Sequence, residues 1–150
     1  MKRIDDWHAK NAMQTAIIDG KELVTYKQLE ERVQERAKIL AGIPQKVILA
    51  PMSNDLDQLI NFLALIRAEK VAVPVNAGYS DQGLRDILNQ FEDPLVLTDI
   101  HTISEKAAVP LDSAEYASPS DLAFIGFTSG TTGQPKGYRR SHQSWVKSFE

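Results

Sequence analysis

The segment that most constrains this chain is Thr128-Ser129-Gly130-Thr131-Thr132-Gly133-Gln134-Pro135-Lys136-Gly137. It follows the apolar run Leu122-Ala123-Phe124-Ile125-Gly126-Phe127, which reads as a buried strand. A strand that feeds such a loop is a place to hold an anion. Glycines let backbone N–H groups approach it closely, hydroxyls add donors, and lysine adds a mobile positive charge. A phosphate cradle is therefore one reading, and a flexible surface turn is the other. Composition alone does not separate them. The loop is not a Walker A sequence, which needs glycine directly before Lys-Ser or Lys-Thr; here Pro135 precedes Lys136 and Gly137 follows it.

The upstream sequence supplies a scaffold for that strand. Arg3 to Lys10 reads as a short helix with Ile4 and Trp7 as its apolar contacts. Thr15–Asp19 and Glu22–Thr25, joined through Asp19-Gly20, read as a hairpin. Thr25 with Gln28 makes a capping box, and Leu29, Val33, Ala37 and Leu40 form the buried stripe of the helix it starts. Gly42 and Pro44 stop that helix. Its charged face, with Glu30, Glu31, Arg32, Glu35 and Arg36, reads as a solvated face with local ion pairs.

Lys46–Ala50 is a short strand that Pro51 should end, after which Ser53 or Asn54 caps a heavily apolar helix over about Asp55–Glu69. Val71–Val75 is the next strand. Ser80 caps a third helix whose stripe is Leu84, Ile87, Leu88 and Phe91, and Pro94–Thr98 is a further strand. Strands alternating with helices predict an α/β fold with a largely parallel sheet, flanking helices and right-handed crossovers. From Ile100 to Ser120 the pattern weakens to a connector. Beyond the loop, Tyr138–Arg140 reads as extended, and Ser141 caps a helix that begins at His142.

Bulk properties exclude several function classes. At 150 residues the chain can bury a real core. Its net charge of −3 offers no basic excess for nucleic acid. No apolar run is long enough to span a bilayer, and no apolar stretch follows the charged N-terminus as in a signal peptide. With no cysteine, disulfides and thiolate metal sites are excluded, and a cytoplasmic location is expected.

Several segments together give the loop a family. The run from Phe124 to Gly137 resembles the signature loop of the adenylate-forming superfamily, which includes acyl-CoA synthetases, aryl-acid ligases, luciferases and the adenylation domains of non-ribosomal peptide synthetases. Leu23–Leu29 resembles its Thr-Tyr-x-x-Leu segment, Ile66–Asn76 its Ala-Gly-…-Val-Pro-Leu segment, and Pro119–Ala123 the lead-in to the loop. Three departures stand out. Glu69-Lys70 occupies a place where the family has glycine, Phe127 replaces a common tyrosine, and Tyr138 replaces a common valine.

The resemblance implies an enzyme that activates a carboxylic acid with Mg2+ and ATP. The products are acyl-AMP and pyrophosphate, and the acyl group then passes to coenzyme A or to a carrier's phosphopantetheine. A fatty or aryl acid is the implied substrate class. Thr128, Ser129, Gly130, Thr131, Thr132, Gly133 and Lys136 would bind the ATP phosphates. The family's adenine, acyl, magnesium and ribose sites and its adenylation lysine lie downstream of its loop, so no catalytic or metal-binding residue is assigned here. The apolar Trp145, Val146 and Phe149 end the chain without a stop signal. The expectation is therefore an N-terminal segment of an AMP-binding domain, inactive alone, that works with the remainder of the enzyme and self-associates as a fragment. The alternative is a non-catalytic interaction module that keeps part of the fold. His142 is expected to help seat the loop, and at most one of Arg139 and Arg140 can face it, since neighbours on a strand point opposite ways.

Overall fold

A computed structural model describes residues 11–20, 22–53, 55–76, 78–98, 121–128 and 135–149. The helix expected over Arg3–Lys10 and the connector from Ile100 to Ser120 lie outside them. Strands β1 (Thr15–Asp19) and β2 (Glu22–Thr25) pair antiparallel as a separate hairpin. Helix α1 (Tyr26–Ala41) then starts on the expected capping box: Thr25 Oγ1 accepts from Gln28 N, and Gln28 Oε1 accepts from Thr25 N. Its buried residues are Leu29, Val33, Ala37 and Leu40, the stripe that the spacing predicts.

The main sheet has five strands in the order β5-β3-β4-β6-β7. Strands β3 (Val47–Met52), β4 (Val71–Asn76), β5 (Leu95–Val96) and β6 (Leu122–Thr128) run parallel, and β7 (Lys136–Ser141) returns antiparallel to β6. Helix α2 (Leu56–Arg67) joins β3 to β4, and α3 (Asp81–Leu88) joins β4 to β5. A short helix α4 (His142–Val146) follows β7.

Strand alternation divides the core between two faces. Ile48, Ala50, Ala72 and Phe124 pack with α1, α2 and Trp145 of α4. Leu49, Val71, Val73, Val75 and Ile125 pack with Ile87 of α3 on the opposite face. The two crossovers run in opposite directions along the sheet and lie on opposite faces, so they share one hand. The α/β class and the largely parallel sheet agree with the sequence reading.

Four local expectations are corrected. Pro51 does not end β3 but lies inside it, opposite Val75. The Leu49 carbonyl accepts from Leu97 N, so Pro51, two residues on, turns its backbone to the same side; β5 has ended there, and no ladder bond is lost. The cap of α2 is Asp55, whose carboxylate accepts from Gln58 N, rather than Ser53 or Asn54. Helix α3 stops at Leu88, yet Phe91 still joins the same apolar cluster.

The fourth correction concerns the charged face of α1, whose ion pairs are mostly not local. Arg32 reaches Glu22 on β2 at 2.6 Å, Arg36 reaches Asp57 on α2 at 3.5 Å, and Glu30 pairs with Arg67 of α2 at 2.9 Å. Only Lys27–Glu31 is a pair within the helix among the described residues. Helix α1 lies along α2, so the flank with Glu30 and Arg36 is covered, while Glu31 and Glu35 are exposed as the sequence reading expects.

The turn between α2 and β4 holds Glu69 in a left-handed conformation. Glu69 N donates to Ile66 O and Lys70 N to Leu65 O, the two bonds of a Schellman ending, with Glu69 at φ 57°. That left-handed geometry favours glycine and costs other residues about 1–2 kcal/mol. The Glu69 side chain is exposed, and Lys46 Nζ bonds its carbonyl rather than its carboxylate. Glu69→Gly should therefore stabilise the chain by about 0.5–1 kcal/mol, once the greater freedom of glycine in the unfolded chain is subtracted. Urea midpoints of the two proteins measure it, and an unchanged or lower midpoint would refute the strain.

Candidate functional site

The carboxyl ends of the four parallel strands share one edge of the sheet. In open α/β sheets this is the edge where ligands bind. Strand β4 pairs with β6 at Ala72–Phe124, and each strand runs four residues further, to Asn76 and Thr128. Met52 is the partner of Asn76 in β3. The chain leaves β6 at Thr128 and re-enters the sheet at Lys136, which is the register partner of Thr128 in the antiparallel pair. The Thr128 hydroxyl donates to the Lys136 carbonyl at 3.4 Å. Cross-strand partners present their side chains on the same face, so Thr128 and Lys136 stand side by side, both exposed.

Of the residues that the sequence nominates, Thr128 and Lys136 are thus brought together. Ser129, Gly130, Thr131, Thr132 and Gly133 lie outside the described residues. The return strand was only partly legible. Tyr138–Arg140 reads as extended, but the antiparallel partnership that sets Lys136 opposite Thr128 carries no local signal. Arg140 Nη2 donates to Ser148 Oγ at 3.0 Å, four residues along β7 from Lys136. Arg139 is exposed on the opposite face of the strand.

Downstream, Ser141 Oγ accepts from Ser144 N and starts α4 at His142, as expected. The His142 N–H donates to the Asp121 carbonyl at 3.0 Å, which ties the start of α4 to the start of β6. Trp145 fixes the other side of α4. Its ring stands edge-on to Phe62 and Phe124, both at 5.8 Å. Aromatic pairs favour this arrangement. These contacts lie at the Leu122–Ser141 end of the hairpin, opposite the Thr128–Lys136 end, so His142 braces the base of the hairpin and does not seat the loop as expected.

Burial pushes the His142 imidazole below its ordinary value of 6.5. Lys46 adds to the shift, while Asp121 and Glu69 oppose it. The unfolded chain then takes up the proton first, so the contribution of His142 to stability is intact above pH 6.5 and is lost as pH falls below it. Unfolding midpoints at about pH 7.5 and about pH 5.5 should differ less in His142→Gln than in the parent chain. An identical pH dependence would remove His142 from the account.

Among the described residues no group of three His, Asp or Glu is placed to hold a metal ion. No helix among the described residues is long and apolar enough to cross a membrane.

Comparison with known proteins gives this geometry a family. The model of the AMP-binding enzyme family matches residues 4–117 and 104–150. The putative long chain fatty acid-CoA ligase VraA of Staphylococcus aureus (strain COL) is 32% identical over 131 residues, which cover 86% of this chain and 29% of the ligase. Gramicidin S synthase 2 of Brevibacillus brevis is 28% identical over 149 residues, covering 87% of this chain and 3% of the synthase. The fold matches that of the NpsA N-terminal subdomain of Klebsiella oxytoca, solved in complex with 3-hydroxyanthranilyl-AMSN. The TM-score is 0.75 at 23% identity, over 95% of this chain and 40% of that one. The chain thus spans less than a third of the curated relatives it matches and less than half of that subdomain. With the family model matched from residue 4 to residue 150, the chain belongs to the AMP-binding enzymes, the adenylate-forming superfamily.

Proposed function

We propose that this chain is the N-terminal part of the AMP-binding domain of a ligase that activates a carboxylic acid with ATP, and that its loop holds the triphosphate. One observation carries the reading: the signature loop leaves the carboxyl edge of a parallel sheet at Thr128 and returns with Lys136 beside it. In this reading Thr128, Ser129, Thr131 and Thr132 donate to the β- and γ-phosphates, Gly130 and Gly133 admit them closely, and Lys136 follows the charge. A carboxylate oxygen of the acid attacks the α-phosphorus, the bond to the β-phosphate oxygen breaks, and acyl-AMP and pyrophosphate form. Negative charge gathers on the departing pyrophosphate, where a lysine stabilises it.

The acyl group then passes to a thiol. Coenzyme A is the acceptor we favour, with a fatty acid as substrate. The support is a relative at 32% identity named as a putative long chain fatty acid-CoA ligase. A carrier's phosphopantetheine is the other acceptor, and the relatives that are peptide synthetases favour it. The test is a pyrophosphate-release screen of a full-length ligase carrying this segment, across fatty, aryl and amino acids, with coenzyme A or a loaded carrier as acceptor. Release that depends on a fatty acid and yields an acyl-CoA is the expected result. Release with no acid dependence would sink the reading. The 150-residue chain alone should catalyse no ATP–pyrophosphate exchange, because the remaining sites lie outside it.

A further inference from the structure

Two consecutive cross-strand pairs sit just below Thr128–Lys136. They are Gly126–Tyr138 and Phe127–Gly137. Glycine and aromatic change strands between them, so one ring lies on each face of the hairpin. A Cβ placed on Gly126 would come within 2.3 Å of Tyr138 Cζ, and one placed on Gly137 within 3.1 Å of Phe127 Cε1. Each ring therefore fills the slot that its partner glycine leaves. Each is also braced from its own face. Phe124 stands edge-on to Tyr138 at 6.5 Å, and Phe91 edge-on to Phe127 at 6.2 Å.

We propose that Tyr138 and Phe127 form a two-faced aromatic clasp that fixes the register of the hairpin and so positions Lys136 at the mouth of the loop. A strand containing glycine is prone to slip, and a slip of one residue turns every side chain to the other face. Here a slip would set the Tyr138 ring against Ile125 or Phe127, each with a side chain where Gly126 has none. It would also carry Lys136 away from Thr128. Tyr138 is half exposed, at 48%, so its ring is retained at a surface position that a smaller residue could fill at little cost to the core. The positioning role rests on the phosphate reading of the loop, whereas the clasp itself does not.

The test uses the 150-residue chain, with tripolyphosphate as the probe. Tyr138→Ala should speed hydrogen exchange of the β6 and β7 amides by about fivefold, leave those of β3 unchanged, and weaken tripolyphosphate binding by a similar factor. Gly126→Ala, which displaces the ring without removing it, should act in the same direction. Tyr138→Phe should retain both properties. Unchanged exchange in Tyr138→Ala overturns the clasp. Faster exchange with unchanged tripolyphosphate affinity overturns the positioning role. A parent chain that binds no tripolyphosphate sinks the phosphate reading instead, and the exchange rates then decide the clasp alone.

Discussion

Lys136→Ala, in a full-length ligase carrying this segment, is expected to lower acid-dependent ATP–pyrophosphate exchange by about 100-fold, the cost of removing one donor aimed at developing charge. The Lys136 side chain is exposed, so its loss should leave the unfolding midpoint nearly unchanged. The loss should fall on kcat more than on KM for ATP. The lysine meets a triphosphate in the ground state and a more concentrated charge as the pyrophosphate departs, and only that difference speeds the reaction. Lys136→Arg should keep part of the activity, since it preserves the charge on a longer, planar head. Exchange kinetics equal to those of the parent would take Lys136 out of the mechanism. A lowered midpoint would assign the effect to folding.

The family was legible because the signal is local: fourteen consecutive residues from Phe124 to Gly137 carry much of it. The helix starts were legible for the same reason. The Thr25 box needs only Gln28, three residues on, and the Ser141 cap only Ser144. The stripe from Leu29 to Leu40 is a periodicity that any window over the helix reveals.

What escaped the sequence depends on neighbours distant along the chain. Pro51 reads as a strand end because a proline cannot donate, and only the early end of β5 makes its position harmless. The pairing of Tyr138 with Gly126 sets a residue after the loop against one before it, and no propensity of either announces the pair. Glu69-Lys70 stands where the family resemblance calls for glycine. Glu69 adopts the glycine conformation all the same, because the Schellman bonds from Glu69 N and Lys70 N, with the Lys46 ammonium on its carbonyl, over-determine the backbone.

On the charged face of α1, the flank with Glu30 and Arg36 is the most consequential misreading, and it leads to the largest stability effect expected. Glu30 and Arg67 approach to 2.9 Å with side chains only 12% and 13% exposed. Lys27 and Glu31, on the same helix, stand 3.9 Å apart and more than half exposed. An exposed pair of that kind contributes no more than about 0.5 kcal/mol, whereas removing one partner of a buried pair costs about 3–5 kcal/mol because the other charge stays in a poor solvent. Arg67→Met should therefore destabilise the chain by about 3 kcal/mol, and Lys27→Met by less than about 0.5. The double variant Glu30→Leu with Arg67→Met should recover most of the loss, since neither charge of this buried pair then remains. This recovery separates a buried charge from a lost packing contact, which the double variant would not restore. Urea unfolding of the singles and the double closes the cycle. An Arg67→Met midpoint close to that of the parent would mean that water reaches Glu30 after all, and that the Glu30–Arg67 pair adds little to the packing of α1 on α2.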